Sequence, residues 1–386
     1  MIARQLFKYL PPFSVTFLLL IVLFLKCSWF NAQSVPDHIV NLVESVQAIH
    51  APDSRVQLFE IEVNRMKDEI TISGQVTDAV LREVLFDSLR RVADDFNLID
   101  SIQLLPLADM QPDIYGIITI SVANMRSKPS FTAELVNQAL LGAIVELYKE
   151  EDDFFYARNW DQYLGWISGA SIVRVDSLAA LSWRRAPRVI CTSNYGLVRE
   201  RPDSEADAIV DLVAGAVLKV MDSTGEWLKV EIPDGRAGYV EWELVMDESE
   251  FRQIPAGRDR IITVASHYLG IPYLWGGAST KGFDCSGLVQ TVFRMSNTPL
   301  PRDASQIVLM GEPVEWDDQF ENVLTGDLLF FGEEPDKVTH VAIYLGNRQF
   351  IHSSGFVHIK SLDPASPLYD EDRHETFQTV RRILPD

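Results

Sequence analysis

After an apolar stretch from Phe13 to Leu25, the hydrophobic positions change rhythm several times along the chain. Ile39 to Ile49 carries apolar spacing that suits a short helix. Two alternating runs follow, Val56 to Val63 and Glu69 to Val76, with a charged turn between them, and they predict paired strands. Leu81, Val84, Leu85, Leu89 and Val92 then recur at helical spacing, and Ile102 to Leu107 reads as another strand. Residues 35–108 therefore predict a small α+β module.

The next region repeats itself without a gap. Arg126-Ser127-Lys128-Pro129 matches Arg199-Glu200-Arg201-Pro202 at an offset of 73 residues (126 to 199). At the same offset Gly142 falls on Gly215, Phe154 on Trp227, Asp161 on Asp234 and Gly165 on Gly238. Short alternating segments punctuated by Gly, Pro and Asp predict two all-β barrels, at 109–180 and 186–248. The early Arg-x-x-Pro turn and the late Gly-Trp or Gly-Tyr strand resemble bacterial SH3-like domains. Trp227 and Tyr239 fit either a barrel core or an exposed binding groove.

An acidic, Pro-containing linker leads to Gly257. Beyond it Arg260 to Tyr268 reads as a helix, and Leu288, Val289, Val292 and Phe293 trace a second. Strands are predicted at Asp327 to Phe331, His340 to Leu345 and Gln349 to His352. Helices first and strands afterwards describe an α+β domain over 255–386. The whole is an α+β multidomain chain.

Charge narrows the partners. The formal net charge is −21, with acids spread along the chain rather than gathered in a tail. Nucleic acid and anionic lipid both need clustered Lys and Arg, so neither is the expected partner. The N-terminus, residues 1–34, has the form of an export signal: Arg4 and Lys8, then the apolar run, then small Ala32 and Ser34. The run is short for a bilayer span and is closed by Lys26. The expectation is an exported, periplasmic or envelope-associated protein with no stable membrane span once mature.

Three cysteines occur, and one stands in a reactive setting. Cys27 lies in the leader and Cys191 lacks an ionisable neighbour. Cys285, in Gly282-Phe283-Asp284-Cys285-Ser286-Gly287, opens a predicted helix, where the macrodipole and free N–H groups favour a thiolate. His340 and His352 follow in strand-like runs, one to activate the sulfur and one to orient the first. A zinc reading of the two histidines lacks a third ligand at sensible spacing.

Five segments in order now carry a resemblance: Pro272-Tyr273-Leu274-Trp275-Gly276-Gly277, Asp284-Cys285-Ser286-Gly287, Leu300-Pro301-Arg302, Gly326-Asp327-Leu328 and Thr339-His340-Val341. Together they resemble the NlpC-type cell-wall peptidases. The resemblance implies a papain-like hydrolase domain, with Cys285 as nucleophile, His340 as base and His352 as its orienting group. Ser121-Val122-Ala123-Asn124-Met125-Arg126, Glu134-Leu135-Val136, Ile351-His352-Ser353-Ser354-Gly355 and Ser361-Leu362-Asp363-Pro364 resemble the γ-D-glutamyl-L-diamino-acid endopeptidases within that family. There the first barrel leans over the site and helps recognise a free N-terminal L-alanine.

That resemblance nominates the binding residues. Asp284 or Glu134 would meet the alanine amine, because a buried unpaired charge is costly. Asp284 also fits helix N-capping. Tyr273 would offer its hydroxyl to the amine or the oxyanion, and Ser286 and Ser305 would bind the free α-carboxylate of a γ-linked glutamate. Tyr163 would close over the alanine, or pack in the barrel core. The partner implied is a muropeptide or peptidoglycan stem peptide, and no metal or organic cofactor is needed. Two rival expectations remain: a broader hydrolase of intact wall, and a non-catalytic wall-binding protein.

Overall fold

A computed structural model describes residues 34–335 and 337–385, so the expected leader, apart from Ser34, lies outside the described residues. The chain divides after Leu105 into two units. Among the described residues no helix is long and apolar enough to cross a membrane.

In the first unit a helix, Asp37–His50, buries Ile39, Val43 and Val46. Strands Phe59–Met66 and Glu69–Val76 pair antiparallel, and Asn97–Leu104 adds in parallel to the second. A parallel neighbour needs a crossover, and the helix Ala79–Val92 supplies it. Asp78 caps that helix by accepting from the Val80 N–H at 2.8 Å, and Leu81, Leu85, Phe86 and Leu89 are its buried face. Two expected strands are displaced. The first begins at Phe59 rather than Val56, because residues 54–56 form a turn. The third begins at Asn97 rather than Ile102. It is an edge strand with Ile102 its one buried residue, so most of it leaves no apolar pattern to read.

The second unit opens with the repeat. Strands Tyr115–Ile118, Ile144–Glu151, Phe154–Arg158 and Leu164–Ser168 of the first barrel recur as Arg188–Cys191, Val217–Thr224, Trp227–Glu231 and Ala237–Glu241. Each pair keeps the offset of 73, and the two seven-stranded sheets have the same strand order. The arginine of the Arg-x-x-Pro motif does the same work in both copies. Arg126 Nη1 donates to the Ala133 carbonyl at 2.6 Å, and Arg199 Nη1 to that of Ala206 at 2.7 Å, each tying its loop to the strand. Trp227 and Tyr239 are half-buried, while the second core is made by Val198, Leu212, Leu218, Leu228, Val230 and Val240.

The expected linker is partly structured. Glu248–Gln253 forms a short helix capped by Asp247, and Phe251 is buried. Glu248 is buried too, paired with Arg188 at 2.7 Å and Arg252 at 2.5 Å. An acidic run reads as solvated until its partners are known.

Beside a two-stranded ribbon, Ala278-Ser279 with Gly282-Phe283, the remainder is a six-stranded antiparallel sheet with helices against it. Its order is Glu312-Pro313, Phe377–Arg382, Leu328–Gly332, Val338–Gly346, Gln349–Ser354 and Phe356–Ser361. The helix Arg258–His267 precedes it, and the helix Cys285–Arg294 lays Leu288, Val289, Val292 and Phe293 against Val341, Ile343 and Ile351. Each of these side chains is shielded from water, and burial of a Leu, Val or Phe contributes ~1.5–3 kcal/mol. Asp327 lies away from this helix and holds Arg258 at 3.0 Å and Arg382 at 2.9 Å, tying the two ends of the domain together.

Candidate active site

Sequence rules place Cys285 at a helix start, and the backbone shows how that start is built. Asp284 is extended, and its Oδ1 accepts from the Gly287 N–H at 2.6 Å. Gly287 must be glycine: a Cβ there would lie 2.0 Å from the Gly277 carbonyl oxygen. The Asp-Cys-Ser-Gly spacing is therefore a cap, a nucleophile position and a close backbone approach in one turn.

The Cys285 thiol is directed to the Thr339 carbonyl at 4.0 Å, one residue before His340. Burial and then the Asp284 carboxylate push the thiol up to about 11, against the pull of the Val341 and Ser286 N–H groups and Arg302. Burial likewise holds His340 well below its ordinary 6.5, helped by the Arg373 cation. Both shifts favour the neutral thiol and the neutral imidazole over the charged pair. Desolvation and the adjacent carboxylate thus oppose the thiolate that the helix dipole favours.

His340 and His352 lie on adjacent strands, Val338–Gly346 and Gln349–Ser354. His340 Nε2 and His352 Nδ1 are 2.9 Å apart, and the two residues are 6% and 1% exposed. Burial, helped by the Arg373 cation, pushes His352 down to about 3. A third imidazole continues the line: His352 Nε2 lies 3.1 Å from His358 Nε2, and His358 Nδ1 lies 2.7 Å from the Phe356 carbonyl.

A cavity of about 600 Å³ opens over Cys285. Eight of the nine nominated residues line it: Cys285, His340, Tyr273, Asp284, Ser286, Ser305, Glu134 and Tyr163. His352 sits behind His340. Glu134 and Tyr163 come from the first barrel. Glu134 Oε1 accepts from Trp275 Nε1 at 2.8 Å, and the Tyr163 hydroxyl donates to Asp303 Oδ2 at 3.2 Å. Burial pushes Tyr273 up to about 12, so it remains a hydroxyl donor.

Asp284 has more work than the sequence assigned. Arg302 Nη1 donates to Oδ1 at 3.0 Å and Nη2 to Oδ2 at 2.5 Å, the Gly276 N–H donates to Oδ2 at 3.0 Å, and Ser286 Oγ donates to Oδ1 at 3.2 Å. Those bonds, with Gly287, occupy the lone pairs of both oxygens. Arg302 is 1% exposed. Burial works against its charge, and the Asp284 carboxylate outweighs burial, holding the guanidinium above its usual range. The expected role of Asp284 as amine partner thus competes with an ion pair and a helix cap. Glu134, with Oε2 beside its single bond to Trp275, is the freer carboxylate.

Arg302 also reaches the first barrel, donating from Nε to Asn137 Oδ1 at 3.1 Å. Asn137 Nδ2 and Gln290 Nε2 both donate to Asp161 Oδ2 at 2.9 Å, and Gln138 Oε1 accepts from the Ala278 N–H at 2.9 Å. The barrel wall and the nucleophile helix share one polar network.

Asp303, Arg373 and His358 escaped sequence reasoning, and Arg302 stood in a motif without a role of its own. Arg302 had a signal, since an aspartate beside a buried nucleophile demands a cation. His358 had another: it mirrors His352 about Gly355, where a hairpin turns. Arg373, on the short helix Glu371–Glu375, lines the cavity with no sequence cue that separates it from surface arginines.

Comparison with known proteins follows this geometry. Residues 270–375 match the NlpC/P60 family, and residues 121–173 and 196–246 each match the bacterial SH3 domain. Dipeptidyl-peptidase 6 of Lysinibacillus sphaericus is 29% identical over 280 residues, covering 70% of this chain and 99% of that protein. Gamma-D-glutamyl-L-lysine dipeptidyl-peptidase of Bacillus cereus is 28% identical over 267 residues, covering 65% of this chain and 76% of that one. A crystal structure of an NlpC/P60 family protein from Bacillus cereus superposes with a TM-score of 0.61 at 23% identity, over 70% of this chain and 100% of that one. It shares the fold: a papain-like domain with SH3-like barrels.

Proposed function

The chain belongs to the NlpC/P60 family of cysteine peptidases, and we propose that it cuts the γ-D-glutamyl to L-diamino-acid bond of muropeptides whose L-alanine has a free amino group. The observation that carries this reading is the wall built by the first barrel. Glu134 and Tyr163 of the first barrel line the same cavity as Cys285, and we place the residue before the glutamate against them. A barrel wall there would leave room for a chain terminus, and the Glu134 carboxylate suits its ammonium group. The names of the two relatives agree with the reading.

Cys285 is the nucleophile and His340 its base. As sulfur attacks the γ-carbonyl carbon, His340 takes the thiol proton, and the former carbonyl oxygen becomes an oxyanion. The Cys285 backbone N–H, at the helix start, donates to it. Collapse breaks the C–N bond; the imidazolium returns its proton to the leaving amine, and the D-glutamyl group stays on sulfur as a thioester. Water, giving a proton to His340, then releases the dipeptide and restores the thiol. His352 orients His340, Tyr273 donates to the oxyanion, and Ser286 and Ser305 stand where the glutamate α-carboxylate would lie. The protein works in the envelope or periplasm, after export by its leader, with domain limits near 35–108, 109–180, 186–248 and 255–386.

Measuring kcat/KM on L-Ala-γ-D-Glu-diaminopimelate with free and with acetylated alanine tests the reading. Losing a charge-assisted hydrogen bond costs ~1.5–3 kcal/mol, so acetylation should slow cleavage roughly ten- to hundredfold before any steric effect. Equal rates, or faster release of peptide from intact sacculi, would favour the broader wall hydrolase. Cys285→Ala should abolish turnover with folding intact, and residual activity above a background trace would remove sulfur from the mechanism.

A further inference from the structure

We infer that His358 is a positioning residue that decides, through His352, which ring nitrogen of His340 is left bare to act as base. The inference rests on the roles proposed for Cys285 and His340 and extends them to a residue outside the cavity wall. The hairpin that turns at Ser354-Gly355 sets His352 opposite His358 on the neighbouring strand. His340 and His352 are buried, and His358 is partly exposed.

The direction of the three hydrogen bonds follows from their outer end. A backbone carbonyl can only accept, so His358 Nδ1, at 2.7 Å from the Phe356 oxygen, carries a proton. Neutral His358 then has a bare Nε2, which accepts from His352 Nε2 at 3.1 Å. Neutral His352 in turn has a bare Nδ1, which accepts from His340 Nε2 at 2.9 Å. His340 is thereby left with its lone pair on Nδ1. That nitrogen is the one free to take the Cys285 proton.

Burial favours neutral rings at His340 and His352, so their tautomer is the variable that matters. Arg373 and Lys360 are the cations acting on the buried pair, and the Phe331 and Phe350 rings pack against it at 5.7 and 5.0 Å. A second proton on His358 would reverse every bond. His352 would accept at Nε2 and donate from Nδ1, His340 would accept at Nε2, and its Nδ1 would bear the proton. The base would then be blocked without any charge reaching the cavity.

Imidazole tautomers are read by long-range 1H–15N correlation spectra, recorded at neutral pH on full-length Cys285→Ala protein, which has no thiol proton to exchange. Protons on Nε2 of His340 and His352 and on Nδ1 of His358 are expected. A proton on Nδ1 of His340 would overturn the inference, whatever the variants below do. In the active protein His358→Phe keeps ring volume but offers no acceptor. It should lower kcat roughly fivefold, about the worth of one net hydrogen bond, with KM unchanged. His358→Gln, whose amide oxygen accepts from His352, should restore most of kcat. Wild-type kcat in a folded His358→Phe protein would sink the proposal. Turnover by Cys285→Ala or His340→Ala would instead sink the peptidase mechanism itself, so the two failures are separable.

Discussion

The two barrels are the same fold twice, and only one of them belongs to the active site. Their strands, their β-bulges and the arginine that ties the loop all coincide at the offset of 73. What sets the first barrel apart at the site is a handful of side chains, changed at the equivalent positions of the second. Glu134, Asn137, Gln138 and Tyr163 of the first barrel become Asp207, Val210, Asp211 and Arg236 in the second. Asp161 is kept as Asp234. In the first barrel it receives Asn137 and Gln290; in the second it pairs locally with Arg236 at 2.7 Å. The second barrel grips the peptidase domain elsewhere, through Asp211 and Lys281 at 2.8 Å and Asn194 and the His267 carbonyl at 2.6 Å. A duplicated scaffold is one thing and a site grafted on it is another.

The largest expected effect tests the shared network. Arg302→Met leaves the Asp284 carboxylate buried without its cation, and breaking such a pair costs about 3–5 kcal/mol. Thermal unfolding should show it as the most destabilising single change at the barrel–peptidase junction. A melting temperature close to wild type would mean that the helix cap alone holds Asp284.

Next comes the contrast between equivalent carboxylates. Glu134→Gln should lower kcat/KM on the free-amine tripeptide roughly ten- to hundredfold, the worth of a charge-assisted hydrogen bond. Asp207→Asn, at the matching place in the second barrel, should leave it unchanged. Similar losses in both would erase the distinction between the barrels.

A smaller effect separates the peptidase core from the barrels by pH. The folded protein holds His352 near 3 and His340 well below 6.5, while the unfolded chain takes up protons near 6.5. The unfolded state therefore binds more protons as pH falls through that window, and stability must fall with it. Unfolding midpoints should rise between about pH 3 and 6.5, and His352→Phe should flatten the slope. Activity should persist somewhat below pH 6.5, because His340 stays neutral there.

The smallest effect is expected at the second barrel's grip. Asp211 and Lys281 are partly exposed, and such pairs are worth about 0–1 kcal/mol. Asp211→Asn should change melting within that range and leave kcat/KM intact. A marked loss of activity would make the second barrel part of the catalytic apparatus after all.

Local pattern made much of this readable. The apolar stripe after Cys285 announces its helix because one face must be buried, and the repeat announces two barrels because turn chemistry is local. Even so, the third strand of the first unit was misplaced, since an exposed edge strand has no apolar signature. The helix Glu248–Gln253 was hidden for a related reason: its buried glutamate looks solvated until Arg188 and Arg252 are found beside it.

The sequence by itself determined the modules, the nucleophile's helix start and the residue types needed for cysteine chemistry. These depend on periodicity, capping and spacing within short segments. Only the tertiary structure decided which carboxylate has lone pairs to spare, how the first barrel is tied to the nucleophile helix, and how three imidazoles line up behind Cys285. Those outcomes depend on groups far apart in the chain, such as Asn137 and Arg302. They depend too on desolvation, which works against the thiolate that the helix dipole alone would favour.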